Sequence, residues 1–141
     1  MGELGSVMPE IVSKQALLFE KFITREARAG CFALRLKPVE TPILAHGHCY
    51  QKAFGAVSPI IKVLQLILGA KPELIENSCC GMAGSFGYEA GQYDVSMQMA
   101  EASLLPAVRK VPNPIVIADG TSCLHQIADG ANRKALCISL G

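Results

Sequence analysis

The sequence predicts an α/β fold: a single domain with a largely parallel, four-stranded sheet flanked by helices. Three observations point there. Four short apolar runs bounded by turn residues alternate with helix-length segments, the pattern of buried strands joined by helical crossovers. The 141 residues match the commonest size for one hydrophobic core. Half of them are apolar and only 18% are charged, too apolar a mixture for a chain that stays disordered.

Residues 1–12 carry little pattern and read as a tail or linker remnant, which leaves 13–141 as the domain. A helix is expected from Ser13, a residue suited to an N-cap, to Ala29, with Gly30 placed to end it. Leu18 with Phe22, and Phe19 with Ile23, stand four apart and so share one side. RLKPVETP (35–42) is a connection, and residues 43–45 are a short buried strand running into His46, Gly47 and His48. Ser58 and Pro59 suit an N-cap and a first helical position, opening an apolar helix that ends at Gly69. Residues 73–77 form a second strand that leads into Cys79 and Cys80. Asp94 is placed to cap a helix through Val95, Met99 and Leu104, which Pro106 must kink or interrupt. PIVIA (114–118) is the clearest buried strand; a short helix over 122–128 follows, and residues 135–140 close the sheet.

Composition removes several classes of function. The longest apolar run, VLQLILGA (63–70), is far short of the roughly 20 residues of a membrane span. No basic segment precedes an apolar core at the start, so no secretory signal is expected and the cytoplasm is the expected compartment. A net charge of +1 with interspersed signs offers no footprint for nucleic acid.

Six cysteines (31, 49, 79, 80, 123 and 137) in such a chain favour metal binding or redox chemistry over a disulfide framework. No C-x-x-C or H-x-x-x-H pair occurs, so any site has to be assembled from distant segments. Cys49 follows the first strand, Cys79 and Cys80 the second, and Cys123 the third. Ligands in open parallel sheets bind outside the carboxyl ends of the strands, so these four thiols are expected to converge on one edge. Thiolates suit zinc and iron–sulfur centres, and adjacent cysteines suit a centre with several irons better than one tetrahedral zinc. Glycines at 81, 84 and 87 would let backbone N–H groups approach the sulfurs.

HGHCYQKA (46–53), CCGMAGSFGYE (79–89) and ADGTSCLHQIADG (118–130), in this order, resemble the cysteine-rich CCG domain. That domain occurs in the B subunit of heterodisulfide reductase, the iron–sulfur subunit of glycolate oxidase and the C subunit of anaerobic glycerol-3-phosphate dehydrogenase. The look is closest to the C-terminal part of proteins that fuse an FAD-linked D-2-hydroxyacid dehydrogenase to an iron–sulfur oxidoreductase. The resemblance spans roughly residues 14–141. It implies an electron-transfer module carrying an iron–sulfur cluster, most simply of the 4Fe–4S type, with Cys49, Cys79, Cys80 and Cys123 as ligands. FAD is then expected on a partner oxidase domain or subunit, and a quinone, cytochrome or thiol as acceptor. Any membrane association would come through those partners. The family's remaining cysteine falls at Gly120, and Tyr50 and Leu124 stand where His and Arg are expected. The flavin domain, a ferredoxin-like C-x-x-C-x-x-C motif and a second CCG repeat are not in this sequence. Alone, the chain is not expected to be a complete enzyme.

Other candidates have simpler readings. His46 and His48 either fix the loop by hydrogen bonding, contact the cluster and its ligands, or ligate directly. His125 is expected on a helix surface or beside the site. Cys31 and Cys137 match no motif and read as packed small hydrophobes. Met82, Met97 and Met99 read as core or interface filler, and Glu89, Asp94 and Asp119 as caps and turn formers. GMAGSFG (81–87) lacks the Lys-Ser/Thr of a phosphate-binding loop. Two rival functions stay open: a docking domain that binds zinc or no metal, and thiol–disulfide chemistry at Cys79–Cys80.

Overall fold

The computed structural model describes residues 4–53, 55, 57–76 and 79–139, with side chains described from Pro9 onward. Helices α1 (Leu4–Gln15) and α2 (Phe19–Arg28) lead into strand β1 (Ile43–His46). Then come α3 (Cys49–Ala53), α4 (Val57–Leu64), β2 (Pro72–Leu74) and a 3₁₀ turn over Phe86–Tyr88. α5 (Tyr93–Glu101), α6 (Leu104–Lys110), β3 (Ile115–Ala118), α7 (Thr121–Ala131) and β4 (Ala135–Leu136) complete the chain.

The four strands form one sheet in the order β2-β1-β3-β4, every pair parallel. The expected fold class is therefore observed. Successive strand residues alternate between two covered faces, as the period of two requires. Leu44 and Val116 pack with Leu104, Val108 and Ile127 of α6 and α7. Ile43, Ala45 and Ile117 pack with Ile60 and Leu64 of α4 on the other face. Burying both faces is what a parallel sheet needs, and it explains why β1 and β3 read as continuous apolar runs.

Several boundaries differ from expectation for identifiable reasons. The helix expected over 13–29 is two helices, and the leading segment is itself helical from Leu4. Ser13 lies inside α1, its hydroxyl donating to Glu10 O at 2.9 Å rather than capping α2. Nothing in the composition of residues 16–18 explains the break. Gly30 ends α2 as expected, at φ +72° with Cys31 N–H returning to Glu26 O. The buried positions of α2 are Glu20 and Ile23, whereas Phe19 and Phe22 stay exposed.

Pro106 ends one helix and starts the next. A continuous helix would set its ring against the carbonyl of residue 102, so the chain breaks at 102–103 and restarts with proline in the first turn of α6. Ser103, at the N-cap position, instead donates its hydroxyl to Glu76 O at 3.3 Å and ties this corner to the end of β2. Asp94 sits in the first turn of α5, after Gln92 at the cap. The strand expected over 73–77 spans Pro72–Leu74, and Asn77 lies outside the described residues. The strand expected over 135–140 stops at Leu136, and Leu140 is likewise outside the described residues. The Asp119 carboxylate draws the chain off the ladder there, its Oδ1 accepting Ile138 N–H at 2.8 Å and the Cys137 thiol at 3.3 Å.

Candidate metal centre

Parallel pairing places all four carboxyl ends on one edge of the sheet. β1 sends the chain to β2 on one side, and the chain then crosses back to β3 on the other. The loops diverge between β1 and β3, the crevice where open sheets of this kind bind ligands. His46 and Ala118 are register partners at its floor.

Cys49 is the first residue of α3, just beyond β1. Cys79 and Cys80 follow β2, and Cys123 lies in the first turn of α7 beyond β3. Cys49 Sγ stands 3.7 Å from Cys79 Sγ, and the thiols of Cys80 and Cys123 hydrogen-bond each other. The four form two pairs, one at the surface and one inside. Cys49 is exposed and Cys79 half-buried, whereas Cys80 and Cys123 are 3% and 1% exposed. Among the described residues no group of three or more His, Cys, Asp or Glu side chains is arranged to hold a single metal ion.

The inner pair is electrostatically polarised. The bond from the Cys123 thiol holds Cys80 below the ordinary thiol range; the N–H groups of Met82 and Ala83 pull the same way, against burial. The same bond, with burial, pushes Cys123 up. In the outer pair burial raises Cys79, opposed by the Gly81 N–H at 3.4 Å from its sulfur.

The glycines divide the work expected of them. Gly81, at φ +84°, lets its N–H reach Cys79 while its Cα abuts the Ser96 carbonyl of α5, leaving no room for a Cβ. Gly87 N–H bonds Met82 O rather than a sulfur, and a Cβ there would meet the Met82 sulfur and Ser96 hydroxyl at 2.5 Å. Gly84 faces open space. Met82 is core, as expected, while Met99 is exposed.

His48 is half-buried and tightly placed. Its N–H donates to Gln51 Oε1 at 2.8 Å, its Nδ1 accepts Tyr50 N–H at 3.3 Å, and its ring stacks on that of Tyr50. The ring fills the space over Gly120: a Cβ there would run into His48 Cδ2 and lie 3.2 Å from Cys123 Sγ. His125 is exposed on α7 and bonds the Tyr88 hydroxyl at 2.8 Å through Nδ1. Cys31 is exposed rather than packed, because it lies just past the end of α2.

His46 is buried, and its Nδ1 has no hydrogen-bond partner among the described residues. Burial lowers its pKa from 6.5 to about 4, with Lys52 and then His48 adding to the effect. Between those values the unfolded chain binds a proton that the folded chain refuses, so stability falls as pH drops. The loss across that window is about 3 kcal/mol. Urea unfolding at pH 7 and pH 4.5, without added metal, checks this; His46→Asn should flatten the dependence.

Sequence reasoning passed over Gln51, Glu20 and the full role of Asp119. Gln51 Nε2 donates to Glu20 Oε1 at 3.2 Å and to Asp119 Oδ2 at 3.0 Å, joining α2, α3 and the end of β3 behind the thiols. The only available signal was the position of Gln51 inside the first cysteine motif.

The chain is similar to parts of two dehydrogenases. It is 28% identical over 94 residues to the C subunit of anaerobic glycerol-3-phosphate dehydrogenase from Escherichia coli K12, covering 67% of this chain and 24% of that subunit. It is 39% identical over 59 residues to D-2-hydroxyglutarate dehydrogenase from the same strain, covering 42% of this chain and 6% of the relative. The Pantoea ananatis D-2-hydroxyglutarate dehydrogenase matches to the same extent. The chain thus spans about a quarter of the first relative's length and far less of the others'. No family model matches, and no solved structure matches significantly. The relatives are oxidoreductases, and one is by name a subunit. Among the described residues no helix is long and apolar enough to cross a membrane.

Proposed function

We propose that this chain is the iron–sulfur electron-transfer module of a flavin-linked D-2-hydroxyacid dehydrogenase system, of the lactate, glycolate or 2-hydroxyglutarate type. Cys49, Cys79, Cys80 and Cys123 would hold the cluster, most simply 4Fe–4S. The observation that carries the reading is the gathering of these four thiols, from three separate segments, at the carboxyl edge of the sheet.

The residues fit such a group. An all-sulfur donor set suits iron–sulfur chemistry. Cys80 is already biased toward thiolate, and N–H groups of Gly81, Met82 and Ala83 face the sulfurs of Cys79 and Cys80. A bound cluster would supply one-electron transfer. The chain's own contribution would be thiolate ligation, N–H bonds to sulfur and exclusion of water on the inner side, where Cys80 and Cys123 are buried. FAD would sit on a partner domain or subunit, and electrons would leave to a quinone, cytochrome or thiol. The expected setting is cytoplasmic, with membrane contact only through partners.

One observation favours a second reading. Cys80 and Cys123 belong to the apolar cluster beneath α6 and α7, where free thiols also serve as packing. On that reading the chain is a docking domain that binds zinc or no metal. Iron, zinc and sulfide content with a visible spectrum, on protein purified and reconstituted without oxygen, separates the two. Stoichiometric iron and sulfide with broad visible absorbance is expected. Zinc, or no metal, would overturn the electron-transfer reading.

A further inference from the structure

We infer that Cys49 and Cys79, while no metal is held, form a peroxide-reactive dithiol that closes to a reversible disulfide, with Cys80 and Cys123 staying reduced. Cys49 Sγ lies 3.7 Å from Cys79 Sγ, thirty positions away in the chain. A disulfide needs about 2.0 Å between its sulfurs, so closure is a short approach. Neither residue belongs to the sheet: Cys49 opens a five-residue helix, and Cys79 lies in the loop after β2. The approach therefore breaks no strand pairing.

Access and direction separate this pair from the other thiols. Cys49 is exposed and Cys79 half-buried, so a small oxidant reaches the first sulfur from solvent. Cys80 and Cys123 also meet, but at 3% and 1% exposure inside the apolar cluster they are out of its reach. The adjacent cysteines are aimed apart. The Cys80 thiol meets Cys123 on α7, whereas that of Cys79 meets Cys49 and takes the Gly81 N–H. Cys31 is exposed too, but its thiol faces Ala29 O at 3.7 Å rather than a second sulfur. The Cys137 thiol bonds Asp119 and Ser139.

An accessible thiol beside a resolving one is the arrangement that passes through a sulfenic acid to a disulfide. Cys49 sulfur attacks hydrogen peroxide; an S–O bond forms, the O–O bond breaks, and the Cys49 proton leaves in a first water. Cys79 sulfur then attacks that of Cys49; the S–S bond forms, the S–O bond breaks, and the Cys79 proton leaves in a second water. The two thiols lose two electrons and the peroxide gains them. A dithiol reductant returns them. The disulfide itself does not need the iron–sulfur reading. One consequence does rest on it: the closed bond would withhold two of the four ligands, so only reduced chain could be loaded.

The test uses the full chain, metal-free and reduced, exposed to a small excess of hydrogen peroxide. Free thiols are then alkylated and the peptides mapped by mass spectrometry, with fragmentation between positions 79 and 80 to assign the partner. One intramolecular disulfide is expected, joining Cys49 to Cys79 and removed by dithiothreitol, with Cys80 and Cys123 alkylated only after unfolding. Cys79→Ser should leave Cys49 as a sulfenic acid that dimedone traps, whereas Cys80→Ser should keep the bond. If a variant fails to fold, the wild-type map decides. A bond from either residue to Cys80, a bond between Cys80 and Cys123, or Cys49 left unjoined to Cys79 overturns the inference. No iron is added, so that result leaves the electron-transfer reading standing. Reduced protein that takes up no iron and sulfide overturns that reading and leaves the disulfide standing.

Discussion

Replacing Cys79 and Cys80 together by serine should abolish iron and sulfide uptake while leaving the protein folded. Outer partners of a metal site cost about 10–100-fold in metal affinity when removed, and loss of two direct ligands exceeds that. The fold should tolerate the change because serine is slightly smaller than cysteine and keeps a hydrogen-bonding group. At position 80 a hydroxyl can still take the Met82 and Ala83 N–H groups and meet Cys123. At position 79 it can still take the Gly81 N–H. The stability cost should stay within about 1 kcal/mol. The variant and the parent would be reconstituted side by side, with metal analysis and far-ultraviolet circular dichroism on each. Full iron in a folded variant would mean that the centre is built elsewhere.

Gly81→Ala should be the most damaging alanine substitution among the described glycines. Left-handed backbone costs a non-glycine residue about 1–2 kcal/mol by itself. The Gly81 Cβ would also overlap the Ser96 carbonyl oxygen, a backbone atom of α5 that cannot simply rotate away. Ser96 is 1% exposed, and its carbonyl and hydroxyl both accept from Gln126 Nε2 on α7, at 3.3 and 3.1 Å. Either α5 shifts or the Cys79–Cys80 segment lifts off it. A total cost of about 3 kcal/mol or more is expected, together with loss of the Gly81 N–H bond to Cys79. Gly84→Ala is the control. It shares the left-handed backbone, at φ +71°, but nothing lies within 4 Å of its Cβ position. Urea unfolding of both variants isolates the effect of the contact. Equal destabilisation would show that backbone conformation alone, and not the close approach to α5, requires glycine at 81.

Some features needed no tertiary structure to be read. β1 and β3 stand out because strands covered on both faces must be apolar at every position, and 43–45 and 114–118 are such runs. Alternation of these runs with helices was sufficient for the parallel α/β class, and that class alone puts residues following each strand on a common edge. The placement of Cys49, Cys79, Cys80 and Cys123 at one edge is therefore legible in their spacing from the strands. Pro106 announces an interruption, and Gly30 a helix end, through purely local sterics.

What the spacing could not reveal was pairing. Which thiol meets which depends on strand order, and β1 at the centre brings Cys49 to Cys79 while Cys80 turns inward to Cys123. The same order decides burial, so it separates exposed Cys49 from buried Cys123 although both open helices. His48 over Gly120 and Gln51 between Glu20 and Asp119 join residues 72, 31 and 68 positions apart, distances at which local propensity carries no signal. Sequence alone determined the class of fold, the edge on which the thiols gather and the soft-ligand chemistry they can support. The tertiary structure decided their partners and their exposure, because those properties arise only when separate segments exclude water from one another.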